Sequence, residues 1–458
     1  MMIGAGVSRW TMTHFGCAVA AFLLAEALLL AGYADPLAGL RAPSTLVAVH
    51  LVTIGWLSLL MLGALYQFVP VITTTPLYSQ RLPLFSLIAI VAGLAAMLAG
   101  FLALGGAAPA HIACLPAGGS LVLAGFTLAA VNIGVTLWRA RPLPLAAMFV
   151  AAGLCFLLLT GLAGLGFAFA FALSDPPDFL VALMDGGLAL HIAAGLGGWF
   201  TLTAMGVSYR LLSMFMLAPD EPRRISYAAL ILAVTGLAVL VGGGLANIEA
   251  GLAAPLESLG TLLAVAGAAL YLADITHLYR ARKRRHLELN SIAAAGALGL
   301  FGLAVAAGAA AAVSGTLERF AGTLGYLFLF GWLSGLGLSQ LYKIVPFLTW
   351  LEVFGSKLGK GPVPRVQDLV NERRAMPWFI LYFAAVALAA GALAFGNAAL
   401  WRMAAAMQLT ATALVALELW RARRPDPDAM PTPVRPGGPL PFPKPPAPPS
   451  SSHPIHGG

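Results

Sequence analysis

Residues 50–70 read HLVTIGWLSLLMLGALYQFVP. An ionisable ring heads an apolar run that ends on Tyr66, Gln67 and Pro70. Such a run is long enough to cross a hydrocarbon core of about 30 Å. Similar runs recur along nearly the whole chain. The 458 residues are 60% hydrophobic and 10% charged, and the mean hydropathy is +0.89. A soluble domain would carry about 25% charged residues, so the expected fold class is an all-α integral membrane protein in a lipid bilayer. A transmembrane barrel would show short alternating segments instead.

The runs predict twelve spans, over 10–33, 45–71, 83–104, 108–138, 143–173, 179–217, 225–246, 254–277, 290–314, 320–350, 376–395 and 397–420. The first is too long, and too poorly flanked, for a cleavable signal. Basic residues follow the even-numbered spans: Arg139 and Arg141, Arg223 and Arg224, RARKRR at 280–285, Lys357 through Arg374, and RARR at 421–424. The alternate loops hold little positive charge. The positive-inside rule then puts both termini in the cytoplasm, with a bacterial inner membrane as the expected location. The net charge of +8 mostly reflects this asymmetry. It is spread over helix ends and does not form a basic domain for nucleic acid. Cys17, Cys114 and Cys155 lack CxxC spacing and imply no disulfide framework.

The opening stretch has two counterparts, GWFTLTAMGVSYRLLS at 198–213 and GWLSGLGLSQLYKIVP at 331–346. The matching residues are Trp56, Gly63, Tyr66 and Pro70; Trp199, Gly206, Tyr209 and Ser213; and Trp332, Ser339, Tyr342 and Pro346. A second motif, LWRAR at 137–141, LYRAR at 278–282 and LWRAR at 419–423, recurs every 141 residues. Two motifs sharing one period point to three units of four helices: 1–141, 142–285 and 286–424. A proline-rich, cytoplasmic tail over 425–458 is expected to be disordered. Helices 2, 6 and 10 would then form an inner ring. On the simplest reading, the Trp and Tyr residues sit in the interfacial belt, with Gln67, Arg210 and Lys343 snorkelling to the surface.

His50 and His191 lie six and eight residues ahead of their Trp, and Tyr326 lies six ahead of Trp332. Imidazole is a common ligand of metals and haem iron because its neutral ring offers a lone pair. The two histidines are candidate cofactor or metal ligands; hydrated helix-end residues are the plainer alternative. Glu26, at similar depth on helix 1, is a candidate partner that fixes the His50 tautomer. A proton-pathway carboxyl and a neutral acid in the bundle are equally open for it. Tyr326 is grouped with it as a supporting or proton-handling residue.

Twelve helices in three arcs, with a histidine near one end of helix 2 followed by GALYQFVP at 63–70, resemble subunit I of the haem–copper oxidases. The nearest likeness is to the catalytic subunit of nitric oxide reductase. The resemblance implies that His50 corresponds to a low-spin haem ligand, and that His191 lies on the helix bearing an active-site metal ligand. The family's helix-7 histidine pair is missing from SYAALILAVTGLAVLVGGGL, and its helix-10 pair from LGYLFLFGW. The resemblance therefore implies a degenerate scaffold without oxygen or nitric oxide reductase activity. It would hold haem b or copper near the periplasmic side for electron relay, sensing or cofactor handling, alongside respiratory-chain or assembly proteins. Two other classes stay open: a transporter or channel lined by polar residues of the inner helices, and a cofactor-free assembly or structural partner.

Overall fold

The computed structural model describes residues 8–34, 39, 42–106, 111–250, 254–358 and 363–425. The expected tail, with His453 and His456, lies outside the described residues from 426 onward. Among the described residues there is no strand, and twelve helices are long and apolar enough to cross a membrane. They are α1 (Arg9–Leu30), α2 (Pro43–Thr73), α3 (Leu82–Leu104), α4 (Cys114–Arg139), α5 (Leu145–Ala172), α6 (Asp178–Met216), α7 (Arg224–Asn247), α8 (Pro255–Arg280), α9 (Leu289–Val313), α10 (Leu317–Lys357), α11 (Glu372–Phe395) and α12 (Ala398–Arg423). The protein is an all-α, multi-pass membrane protein. The helix α11 starts earlier than hydropathy suggests because Asn371 caps it, accepting from the Arg374 N–H at 3.1 Å.

The three longest helices are α2, α6 and α10, at 31, 39 and 41 residues. Each is interrupted by a π-helical segment that contains its Gly-Trp pair: Leu51–Ser58, Ala193–Leu202 and Leu327–Ser334. A π-turn admits an extra residue and rotates the helix face, and such turns gather at functional sites. The glycine of each pair marks where the inner helix meets the first helix of its own unit. A Cβ on Gly55 would lie 2.7 Å from Ala21 on α1, one on Gly198 2.3 Å from Phe156 on α5, and one on Gly331 2.9 Å from Leu300 on α9. Small residues at such crossings let backbones approach closely.

The three indoles are not belt residues facing lipid. Trp56, Trp199 and Trp332 are 0%, 1% and 0% exposed and lie at the centre of the bundle. Trp56 Nε1 donates to Ser334 Oγ at 2.9 Å, and Trp199 Nε1 donates to Ser58 Oγ at 3.2 Å. Both acceptors stand two residues after a neighbouring unit's Trp. The corresponding pair on the third edge, Trp332 Nε1 and Thr201 Oγ1, is buried with neither atom partnered. Phe22 stacks on Trp56 and Phe301 on Trp332, with centroids 4.6 and 4.5 Å apart.

The outer helices follow the same order. Within each unit the third and fourth helices pack as a pair: α3 with α4, α7 with α8, and α11 with α12. Between units the fourth helix meets the next unit's first: α4 with α5, α8 with α9, and α12 with α1, which closes the circle. By alternation, one membrane face holds the start of α1 and the ends of the even-numbered helices. On that basic face the two cations that follow a repeat Tyr are matched, Arg210 with Asp220 and Lys343 with Glu288, while Gln67 Nε2 is buried without a partner. Glu418, 4% exposed, lies between Arg374 and Arg421, each at 2.7 Å.

Candidate functional site

His50 and His191 come together. Both line one cavity of about 100 Å³ between the first two units, lined by α2 through α6 near the face opposite the basic one. Helix ends fix that depth: Leu115 lies one residue into α4, and Phe171 one residue before the end of α5. His50 Nδ1 lies 2.7 Å from the Leu46 carbonyl, one helical turn back. A carbonyl only accepts, so Nδ1 carries the proton and Nε2 keeps the lone pair. His191 enters where α5 has no side chain, since a Cβ on Gly164 would lie 3.2 Å from His191 Cε1. Its Nδ1 is buried without a hydrogen bond, although the Thr160 carbonyl lies nearby. Phe101 packs on the His50 ring at 4.9 Å, and Phe167 meets His191 edge-on at 5.6 Å. Met97 and Met184 complete the part of the lining that can donate electrons.

Glu26 does not hold the His50 ring; the Leu46 carbonyl takes that role. Glu26, 2% exposed, instead faces α12. Its Oε1 accepts from Gln408 Nε2 at 2.8 Å and from Thr412 Oγ1 at 2.9 Å, while Oε2 is buried without a partner. Tyr326 joins the cluster from α10 by donating to Gln408 Oε1 at 2.5 Å. Glu26 and Tyr326 therefore share one polar cluster between the third and first units, away from the histidine cavity.

The other repeat residues serve packing and support. Gly63 receives His14 of α1, whose Cβ would lie 2.7 Å from a Cβ there, and Gly206 receives Phe149 of α5 at 2.5 Å. Tyr66 meets the His14 ring edge-on at 5.4 Å. Tyr209 donates to Asp274 Oδ2 at 3.2 Å, and Tyr342 meets Phe379 at 5.6 Å. Pro70 and Pro346 sit within continuous helix and are buried. Asp274 is a buried hub that also accepts from Ser226 and Arg223.

Sequence reasoning passed over Gln408 and Thr412, although a polar pair four residues apart in an apolar helix signals one shared face. Met97 and Met184 gave no signal, because a thioether reads as apolar. No group of three or more His, Cys, Asp or Glu able to hold a metal occurs among the described residues. The donor set at the cavity is thus two imidazoles and two thioethers.

No protein-family model and no curated protein matches this chain.

Proposed function

We propose that this is a membrane-embedded metal-binding protein on a haem–copper-oxidase-like scaffold, holding one metal ion between His50 and His191. The carrying observation is the convergence of these residues, from different units, on one cavity. A copper ion suits the space. Haem does not: ligand pockets for molecules of that kind run to about 300–1,000 Å³, and the cavity is about 100 Å³. The residues present therefore fit the metal and not the macrocycle. His50, with its proton held on Nδ1 by Leu46, would offer Nε2 to the ion, and Gly164 makes room for the second ring. Oxygen or nitric oxide reduction is not part of the proposal, because the histidine pairs of helices 7 and 10 are missing from the sequence. A single ion near one face suits sensing or the handling of copper for respiratory-complex assembly. The face nearest the ion would be periplasmic in a bacterial inner membrane, with both termini cytoplasmic.

The transporter reading would draw on the polar residues of the inner helices. Ser58 and Ser334 accept from Trp199 and Trp56, Ser339 donates to the Leu336 carbonyl and Ser208 bonds Tyr271, whereas Gln67 Nε2, Thr201, Thr203 and Gln340 are buried without a hydrogen bond.

The test is metal analysis with oxidised and reduced optical spectra of the purified full chain, expressed with copper and haem available. About one copper per chain is expected, lost in His50→Ala and in His191→Ala, without haem bands. A stoichiometric haem band would replace this reading, and a metal-free, haem-free protein would end it.

A further inference from the structure

We infer that the His50–His191 site selects copper in its Cu(I) state, with Met97 and Met184 as two further ligands. This rests on the reading that the two histidines hold a metal, and adds the oxidation state and the sulfur donors.

Three observations carry it. The first is donor softness: both sulfurs that line the cavity are thioethers, which prefer Cu(I) to harder divalent ions. Methionine has three rotatable side-chain bonds and adapts its reach, so α3 and α6 can each turn a sulfur toward an ion seated between the rings.

The second is charge. The cavity lining contains no Asp, Glu, Lys or Arg. Four neutral donors cannot compensate a dication in this surrounding. Moving an ion into a low-dielectric interior is expensive, and the Born cost grows with the square of the charge. A monovalent ion therefore faces about a quarter of the penalty of a divalent one. Structural Zn(II) sites draw on thiolates, and many catalytic ones on a carboxylate, a thiolate or a metal-bound hydroxide to offset that charge; the lining here holds no thiol and no carboxyl.

The third is the apolar lining. Phe101, Phe167 and Phe171 stand among the four donors. These side chains offer no oxygen or nitrogen to complete the shell of a divalent ion, whereas a monovalent ion is satisfied by the imidazoles and thioethers. Binding is coordination alone: each imidazole would offer a nitrogen lone pair, the thioethers carry no proton, and no electron moves.

The experiment uses the purified full chain in detergent, stripped of metal and handled anaerobically with a reductant. Cu(I) is titrated against a chromophoric Cu(I) chelator, and Cu(II) and Zn(II) are tested separately. X-ray absorption at the copper edge reads sulfur neighbours in the wild type, so the result does not depend on a variant folding. The expected result is one Cu(I) per chain, preferred over the divalent ions, with sulfur in the first shell. Met97→Leu and Met184→Leu, which nearly conserve volume, should each weaken Cu(I) binding roughly 10-fold by loss of a soft ligand. Unchanged Cu(I) affinity in the double variant, an absence of sulfur scattering, or a preference for a divalent ion would overturn the inference. If His50→Ala still abolishes binding in those cases, the two-histidine metal site stands without it. If wild-type protein binds no copper, or His50→Ala and His191→Ala bind it undiminished, the metal reading falls and takes this inference with it.

Discussion

The cavity between units one and two and the polar cluster between units three and one occupy matching places in the bundle. His50 and Tyr326 each stand six residues ahead of a buried Trp, just before a π-helical segment. In the first place the ring's outward nitrogen is left with a lone pair beside open space. In the second, the phenol is bound to Gln408, which in turn donates to Glu26, and Phe330 stacks on the Tyr326 ring with centroids 4.4 Å apart. The same frame carries an open donor set in one arc and a filled hydrogen-bonded cluster in another. Ligand capacity therefore follows from what each arc leaves unfilled, and not from the frame itself.

The largest effect expected from breaking this contrast is at Gln408. Gln408→Leu removes the acceptor of the buried Tyr326 hydroxyl and one donor to Glu26. Each buried polar group left without a partner costs about 1–3 kcal/mol, so a loss of roughly 3 kcal/mol is expected in thermal or denaturant unfolding. Adding Tyr326→Phe should recover part of it, because the orphaned hydroxyl is gone; a double-mutant cycle measures the coupling. Metal content should remain that of wild type. Loss of copper in Gln408→Leu would show that the two arcs are one site.

Some of this was legible in the sequence, and the reasons differ by residue. The twelve spans and the threefold period were readable because hydropathy, Gly-Trp and the Leu-aromatic-Arg-Ala-Arg ends are local patterns. The destination of the tryptophans was not. An indole suits the membrane interface, but it suits a dry bundle centre equally when a serine from the next helix takes its N–H. That pairing, across 278 residues for Trp56 and Ser334, leaves no local trace. The supposed link from Glu26 to His50 failed for a simpler reason: a helical ring nitrogen finds its own carbonyl one turn back. The cavity's aromatic walls, from two different helices, required the fold.

The indole ring supports both arcs and gives the next prediction. Trp56→Phe and Trp199→Phe each delete a buried hydrogen bond and leave a serine hydroxyl short of a donor. Each should cost about 1 kcal/mol from the bond, added to the volume lost. Trp332→Phe loses similar volume but no such bond, and it relieves a buried N–H that has no acceptor. Unfolding midpoints should therefore fall for the first two variants by more than for the third. Equal losses in all three would mean that the bonds contribute nothing beyond packing.

The smallest expected effect lies far from both arcs, at Glu288, the residue ahead of α9 on the basic face. It pairs with Arg284 and Lys343, and Gln367 Nε2 donates to it at 3.3 Å. Partial burial pushes this carboxyl up, but the Lys343 hydrogen bond and charge, the Gln367 amide and the Arg284 charge outweigh it and hold the group below its usual value. A carboxyl depressed in the folded state stabilises the fold above its unfolded pKa of about 4.3. That contribution is lost as the pH falls through this value toward the lower folded one. Solvent around the group keeps the effect modest. The unfolding midpoint of wild type should therefore fall more steeply than that of Glu288→Gln between about pH 5 and pH 3, the range spanned by an ordinary carboxyl. Parallel curves would remove Glu288 from the acid response. A matching shift in His50→Ala and Gln408→Leu backgrounds would show that the basic face is held independently of both arcs, because its ion pairs close the outer end of α10 and not the segment beside Tyr326.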